Sequence, residues 1–93
     1  MTKQELLDDL DALRGAVDKL PEDVDVLGAN IGPDFLGGTV IGLNHYAPTG
    51  IEDVANVLNV AVETGRYGNG KEWYFMLGSV KVAQLGPTEA DDA

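Results

Sequence analysis

The segment KEWYFMLGSVKVAQL, residues 71–85, carries the clearest structural signal in the chain. Its two halves are rich in aromatic and β-branched residues, and Gly78-Ser79 between them suits a two-residue type II′ turn. We therefore predict a β-hairpin. One face is expected to hold three cross-strand pairs: Leu77 with Val80, Phe75 with Val82, and Trp73 with Gln84. The other face is expected to hold two: Tyr74 with Ala83, and Met76 with Lys81.

Upstream of the hairpin, the sequence predicts a helix with apolar residues around most of its circumference. Pro48 and the T-x-x-E capping box of Thr49 and Glu52 mark its start, and Gly65 marks its end. Eight apolar residues cover all but one narrow polar strip: Ile51, Val54, Ala55, Val57, Leu58, Val60, Ala61 and Val62. Because such a helix has no wide polar face, we expect it to be buried on several sides as the central element of the core.

The chain begins with another predicted helix, whose apolar stripe is narrow. Thr2 and Glu5 form a second T-x-x-E capping box, and Pro21 ends the helix. The stripe recurs at spacings of three and four residues: Leu6, Leu10, Leu13, Val17 and Leu20. Because only this stripe is apolar, we expect the helix to lie at the periphery of the fold.

Two further strand patterns lie between the helices, at residues 23–31 and 39–46. The predicted element order is therefore α-β-β-α-β-β. We expect a single small α+β domain, residues 1–86, in which a four-stranded, mainly antiparallel sheet carries both helices on one face. Residues 87–93 are expected to form a short, acidic, disordered tail. The residues carry no motif of a protein family that we recognise.

Composition excludes several classes of function. The chain has no cysteine, which rules out disulfides, thiol nucleophiles and thiolate zinc sites. It has one histidine, His45, and one serine, Ser79, too few for a catalytic triad or a multi-histidine metal site. We therefore expect a protein that is not an enzyme, and assign no catalytic residue, no cofactor and no metal ligand.

The expected compartment follows from two missing patterns. No apolar run approaches the roughly 18–20 residues that a membrane span requires. Residues 1–5 become acidic at once, without the apolar centre of a secretory signal. We therefore expect a cytoplasmic protein.

A glycine-rich run, GRYGNGK at residues 65–71, matches seven positions of a phosphate-binding loop. Such a loop follows a strand and opens a helix, whereas here a helix is predicted before it and a strand after it. Glu72 also stands where a hydroxyl group should bind magnesium. A loop that joins the helix to the hairpin is the favoured interpretation.

The chain is strongly acidic, with sixteen acidic and six basic residues and a net charge of −10. Asp8, Asp11 and Asp18 lie on the side of the first helix opposite its apolar stripe, and Glu22 and Asp25 follow that helix. Bare nucleic acid and anionic membranes would be repelled, so a basic protein surface is the expected partner. The alternative interpretation is that the acidity only keeps the protein soluble or reflects a salty cytoplasm.

The open face of the predicted hairpin offers a second candidate contact, because Tyr74 and Met76 would point away from the helices. We therefore expect a non-enzymatic binding protein that occludes a basic site on a larger protein, such as a nuclease or another nucleic-acid-binding protein. The candidate partner-binding residues are Asp8, Asp11, Asp18, Glu22, Asp25, Tyr74 and Met76. By size and charge alone, phage-encoded inhibitors of host defence nucleases (anti-CRISPR proteins among them) and nuclease-toxin immunity proteins fit this description.

Two other functions stay open. The protein could be a structural or assembly subunit that self-associates through its sheet, for example as a homodimer through the hairpin face. It could also bind a small molecule with its glycine-rich loops, at residues 32–38 and 65–70.

Overall fold

The fold consists of two helices and five strands in a computed structural model that describes residues 2–32, 38–44, 50–67 and 70–88. The elements follow the chain in this order: α1 (Lys3–Lys19), β1 (Val26–Asn30), β2 (Thr39–Leu43), α2 (Ile51–Leu58), β3 (Glu63–Tyr67), β4 (Gly70–Leu77) and β5 (Val80–Thr88). The strands form one sheet in the order β1-β2-β5-β4-β3. The β2–β5 pair is parallel and the other three pairs are antiparallel. The expected α+β class is confirmed.

The core centres on a row of apolar side chains across the middle of the sheet. Ile41 pairs with Val82, and Val82 pairs with Phe75 on its other side. These three residues are 0–2% exposed. Both helices contribute to the same core cluster, α1 through Ala16 and Leu20 and α2 through three residues: Ile51, Val54 and Ala55. The helices therefore pack on one face of the sheet, as expected.

The predicted hairpin is confirmed in position, register and turn type. All five predicted cross-strand pairs are present between β4 and β5. In the turn, Gly78 has a positive φ of 61°, whereas Ser79 is not among the described residues with positive φ. A positive φ at the first turn position alone is the signature of type II′.

The expectation of four strands is wrong, because a fifth strand occupies residues that were predicted to end the second helix and form a loop. Helix α2 stops at Leu58, and Asn59 adopts the left-handed conformation (φ 57°, ψ 46°) that asparagine tolerates better than most residues. The chain then continues as β3 and pairs with β4 from Glu63 to Tyr67. For this segment, pairing with the free edge of β4 is thus more favourable than continuing α2, because valine is a weak helix former.

The expectation that α2 is buried on several sides is also wrong. Its buried residues lie on one side, whereas Val57 is 71% exposed. The helix begins after Gly50 without a capping side chain of its own; the predicted cap, Thr49, lies outside the described residues. Instead, the Ile51 amide donates to Gln84 Oε1 of β5 at 2.7 Å. The second helix is therefore a short element held on the sheet, with one side in solvent.

Helix α1 agrees with its predicted start and peripheral position. The Glu5 amide donates to Thr2 Oγ1 at 3.1 Å, which forms one half of the predicted capping box. At the other end of the chain, β5 extends to Thr88 and so includes the first two residues of the predicted tail. The rest of that tail lies beyond the described residues.

Two valines of α2 allow a matched test of this one-sided burial. Val54→Ala removes buried methyl groups at a residue that is 0% exposed, so we expect a loss of about 2 kcal/mol in the free energy of unfolding. Val57→Ala, at a residue 71% exposed, is expected to change stability by less than about 0.5 kcal/mol. Both substitutions have the same helix propensity change. Urea denaturation measures both; equal large losses would contradict the exposed side of α2.

Candidate functional site

Three aspartates form a compact strip along the outer side of α1, called the acidic strip here: Asp8, Asp11 and Asp18. Consecutive helical residues are separated by about 100°, so the three side chains fall within an arc of about 80°. From Asp8 to Asp18 the strip is about 15 Å long at the usual helical rise. All three residues are exposed. The structure thus brings together the acidic residues that the sequence placed on the first helix.

The acidic strip is not neutralised within the part of the chain that the structure describes. Asp8 Oδ1 accepts a hydrogen bond from Gln4 Nε2 at 3.0 Å, which leaves the negative charge in place. No described lysine or arginine makes an ion pair with any of the three carboxylates. The strip therefore presents its charge to solvent and to an approaching partner.

The other two predicted acidic residues, Glu22 and Asp25, are exposed on the segment that joins α1 to β1. Asp25 is held at the end of β2 by two hydrogen bonds from Asn44. The Asn44 side-chain amide donates to Asp25 Oδ2 at 3.0 Å, and its backbone amide donates to the Asp25 carbonyl oxygen at 3.1 Å. Asp25 therefore has a structural role in joining this segment to the sheet, whereas Glu22 extends the acidic surface past α1.

Tyr74 and Met76 lie on the opposite side of the molecule from α1. They alternate along β4 with Phe75, which faces the helices in the core, so they point to the open face of the sheet. Met76 is 47% exposed, and Tyr74 is half-buried. The Tyr74 ring lies over Gly65 of β3, where a β-carbon would be 3.4 Å from Tyr74 Cε1. The two candidate surfaces therefore cannot form one continuous contact with a flat partner.

A buried ion pair, which the sequence analysis did not anticipate, occupies this open face. Glu72 is 5% exposed, and its Oε1 atom forms an ion pair with Lys81 Nζ. Lys81 Nζ also lies 4.7 Å from the centre of the Tyr74 ring, within the range of a cation–π interaction. A shallow depression of about 420 Å³ is lined by these residues and by Met76. The alternation of Glu72, Tyr74 and Met76 along β4 was the available signal for this cluster.

A second feature also lay outside the sequence analysis, namely the exposure of the α1 apolar stripe. Leu6, Leu10 and Val17 are 41%, 44% and 47% exposed. The side of α1 that packs on the core is centred instead on Ala16, 3% exposed, and Leu20, 9% exposed. Three of the five residues of the predicted stripe are therefore left partly open to solvent.

The described residues of the run at 65–71 do not have the structure of a phosphate-binding loop or of the predicted helix-to-strand loop. Gly65 and Arg66 belong to β3, and Lys71 belongs to β4, which pairs with it. Residues 33–37 and 68–69 of the glycine-rich segments, as well as His45, lie outside the described part of the chain. Among the described residues, no group of three or more acidic or histidine side chains could hold a metal ion. No described helix has the length and apolar character needed to cross a bilayer.

The buried ion pair predicts a distinct stability pattern. Lys81→Met keeps the aliphatic stem but leaves the Glu72 carboxylate buried without its cation, so we expect a loss of about 1–3 kcal/mol. The loss stays below that of a fully buried pair, because the Lys81 side chain is 30% exposed. The double variant E72Q/K81M should recover most of the loss, since both charges are then absent.

Urea denaturation measures these stabilities, with Lys71→Met on the exposed part of β4 as the matched control. A double variant that is less stable than K81M would contradict the pairing.

The chain has no match among the known proteins with which it was compared. No protein-family model matches it, and neither a curated protein nor a solved structure matches it. Any functional assignment therefore rests on the two faces of this molecule: the acidic face of α1 and the open face of the sheet.

Proposed function

We propose that this protein is a small, acidic, non-enzymatic binding protein whose α1 face occludes a basic site on a larger protein. One observation carries the proposal: the acidic strip is exposed along about 15 Å of a single helix and has no cationic partner among the described residues. Exposed carboxylates held in a fixed array attract a surface of opposite charge and disfavour partners of the same charge.

The length of the acidic strip supports a nucleic-acid-binding site as the target. Phosphates along one nucleic-acid strand are separated by about 3.4 Å, so about 15 Å corresponds to four or five of them. Carboxylates on this helix would bind the lysine and arginine side chains of the target that otherwise bind phosphates. The proposed targets are a nuclease or another nucleic-acid-binding protein in the cytoplasm. An inhibitor of a defence nuclease, or an immunity protein against a nuclease toxin, is the form of this function that size and charge favour.

The mechanism that the geometry supports is steric and electrostatic blocking by one face. Glu22 lies just past the end of α1 and can extend the contact. Tyr74 and Met76 lie on the other face of the sheet, so they do not anchor the same contact with a flat partner. Charge chiefly raises the association rate, and buried apolar contacts lower the dissociation rate.

The acidic strip can be tested by replacing Asp8, Asp11 and Asp18 together with Asn. We expect unchanged folding and an association rate about tenfold lower at low salt, because electrostatic steering is weakened. The difference from the wild-type protein should shrink as salt increases. The measurement is the binding kinetics of a basic protein that the immobilised wild-type chain captures from lysate and that is then purified.

A matched control removes the same number of carboxylates elsewhere. Glu52→Gln, Asp53→Asn and Glu63→Gln change three exposed residues outside α1. If this control variant lowers the association rate as much as the α1 variant does, net charge alone drives binding and the acidic strip has no specific role.

A second candidate function is self-association through the open face of the sheet, as in a structural or assembly subunit. The observation that favours it is the 47% exposure of Met76 on a face that no described helix covers. Aromatic and methionine side chains are enriched in such interfaces.

This second function predicts that Met76→Lys dissociates an oligomer, because a charge would then be buried at the interface. Sedimentation velocity over a range of protein concentrations measures the change. A wild-type protein that remains monomeric at every concentration would exclude self-association through this face.

A further inference from the structure

We propose that the β3–β4 end of the helix-bearing face of the sheet binds a mononucleotide, whose phosphate contacts Arg66 and Lys71 and whose base stacks on Trp73. This site uses neither the acidic strip nor the open face of the sheet, so it goes beyond the proposed blocking function. It is a depression of about 310 Å³ that is lined by five residues: Thr64, Gly65, Arg66, Lys71 and Trp73.

The first observation is that two neighbouring cross-strand pairs place the side chains of the site on one face. Thr64 pairs with Trp73. Two residues further along each strand, Arg66 pairs with Lys71. Paired residues of an antiparallel ladder point to the same face, and so do residues two apart in one strand. Trp73 also pairs with Gln84, whose side chain accepts the hydrogen bond at the start of α2, so this face is the one that carries the helices.

The second observation is that this part of the face is cationic in a strongly acidic chain. Arg66 and Lys71 are two of only six basic residues, against sixteen acidic ones. The carboxylates of the same two strands, Glu63 and Glu72, alternate to the open face, where Glu72 already forms an ion pair with Lys81. No carboxylate of a described residue lines the depression. The local charge therefore favours an anionic ligand.

The third observation is that the two cations are direct cross-strand partners. Like charges that face each other across a ladder destabilise a sheet, and an anion between them removes the repulsion. Lys71 forms no ion pair with another described residue. Arg66 takes part in another interaction, but its guanidinium has five N–H donors and can bind a phosphate in addition.

The tryptophan selects a nucleotide over a simple anion. Trp73 packs partly against the core, is partly exposed, and borders the depression beside the two cations. Indole rings stack favourably on nucleic-acid bases, and the Thr64 hydroxyl offers a further hydrogen-bonding group. The volume lies at the lower limit of about 300 Å³ for ligand pockets, which fits one nucleotide rather than two.

The position of the site allows an anion to approach despite the net charge of −10. Helix α1 contacts β2 and β5, whereas the site lies on β3 and β4. In the sheet, β3 is two strands away from β5, which is about 10 Å at the usual strand spacing. Charges are screened beyond about 8 Å at physiological salt, so the acidic strip repels a small ligand only weakly. A nucleic-acid strand would extend past the site and over the acidic surface, which favours a single nucleotide.

Binding can be followed through Trp73, because it is the only tryptophan of the chain. Titration with adenosine monophosphate (AMP) at low salt, excited at a wavelength that adenine does not absorb, should quench the tryptophan fluorescence and reach saturation. Adenosine lacks the phosphate and ribose phosphate lacks the base. Each should bind at least about tenfold more weakly than AMP, with ribose phosphate measured by competition.

Two variants test the cations of the site. Arg66→Gln and Lys71→Gln each remove one phosphate contact at an exposed residue, so each should weaken AMP binding at least about tenfold without unfolding the chain. The matched control is Lys19→Gln, which removes one positive charge from the exposed surface of α1 and should bind AMP like wild type. Circular dichroism confirms that each variant is folded.

Four results would overturn the proposal: no saturable quenching at millimolar AMP, adenosine or ribose phosphate binding as tightly as AMP, R66Q and K71Q variants that bind AMP like wild type, or an equal loss of affinity in K19Q. A short single-stranded oligonucleotide that binds more tightly than AMP would assign the site to nucleic acid instead.

Discussion

The parallel ladder between β2 and β5 is the constraint on which the rest of the structure depends. It pairs Thr39–Leu43 with Val80–Gln84, and it joins the antiparallel pair β1–β2 to the antiparallel unit β3–β4–β5. The same ladder sets Ile41 beside Val82, which completes the row that both helices cover. Because the two strands are far apart in the chain, their pairing carries a loop-closure cost that burial of this row must offset. Helix α1 contacts both strands of this ladder, so the surface on which it packs depends on their pairing.

The sheet separates two surfaces with different physical characters. On the helix side, the carboxylates of α1 form no ion pair with any described residue and make the local potential negative. On the open side, the charge of Glu72 is balanced by Lys81, and Met76 is exposed beside this pair. Electrostatic interactions are screened over about 8 Å at physiological salt, so charges on one face have little effect on the other. A protein of this size can therefore carry two contacts that act independently.

The parts of this fold that the sequence predicts are those set by local geometry. Alternation along residues 71–85 and the Gly78-Ser79 turn determine the hairpin register, so every predicted pair is present. The end of α2 is different, because its valines suit a helix or a strand, and the free edge of β4 decides the outcome. The polar and glycine-containing β3 has no strong strand pattern of its own. The parallel β2–β5 pairing is likewise a long-range contact without a local signal.

In the candidate site, too, the sequence predicts what local geometry sets and misses what long-range contacts set. Helical periodicity correctly grouped Asp8, Asp11 and Asp18, because their relation depends on α1 alone. The orientation of α1 on the sheet depends on tertiary packing, which buries Ala16 and Leu20 and leaves Leu6 and Leu10 partly exposed. Periodicity identifies an apolar stripe but does not determine which of its edges faces the core. The buried pair of Glu72 and Lys81 joins residues that are not cross-strand partners, because Lys81 pairs with Met76 and Glu72 pairs with Leu85, so the strand register alone does not predict it.

The hydrogen bond from the Ile51 amide to Gln84 has a consequence for the order of assembly. The first turn of α2 has no capping group of its own, and the acceptor that it uses belongs to the last strand of the sheet. An eight-residue helix is too short to persist alone in water, so α2 becomes stable only after the final hairpin has formed. During synthesis, the second helix can therefore become stable only after the chain has been made as far as Gln84. Exchange of the Ile51 amide with solvent deuterium consequently reports on the integrity of β5.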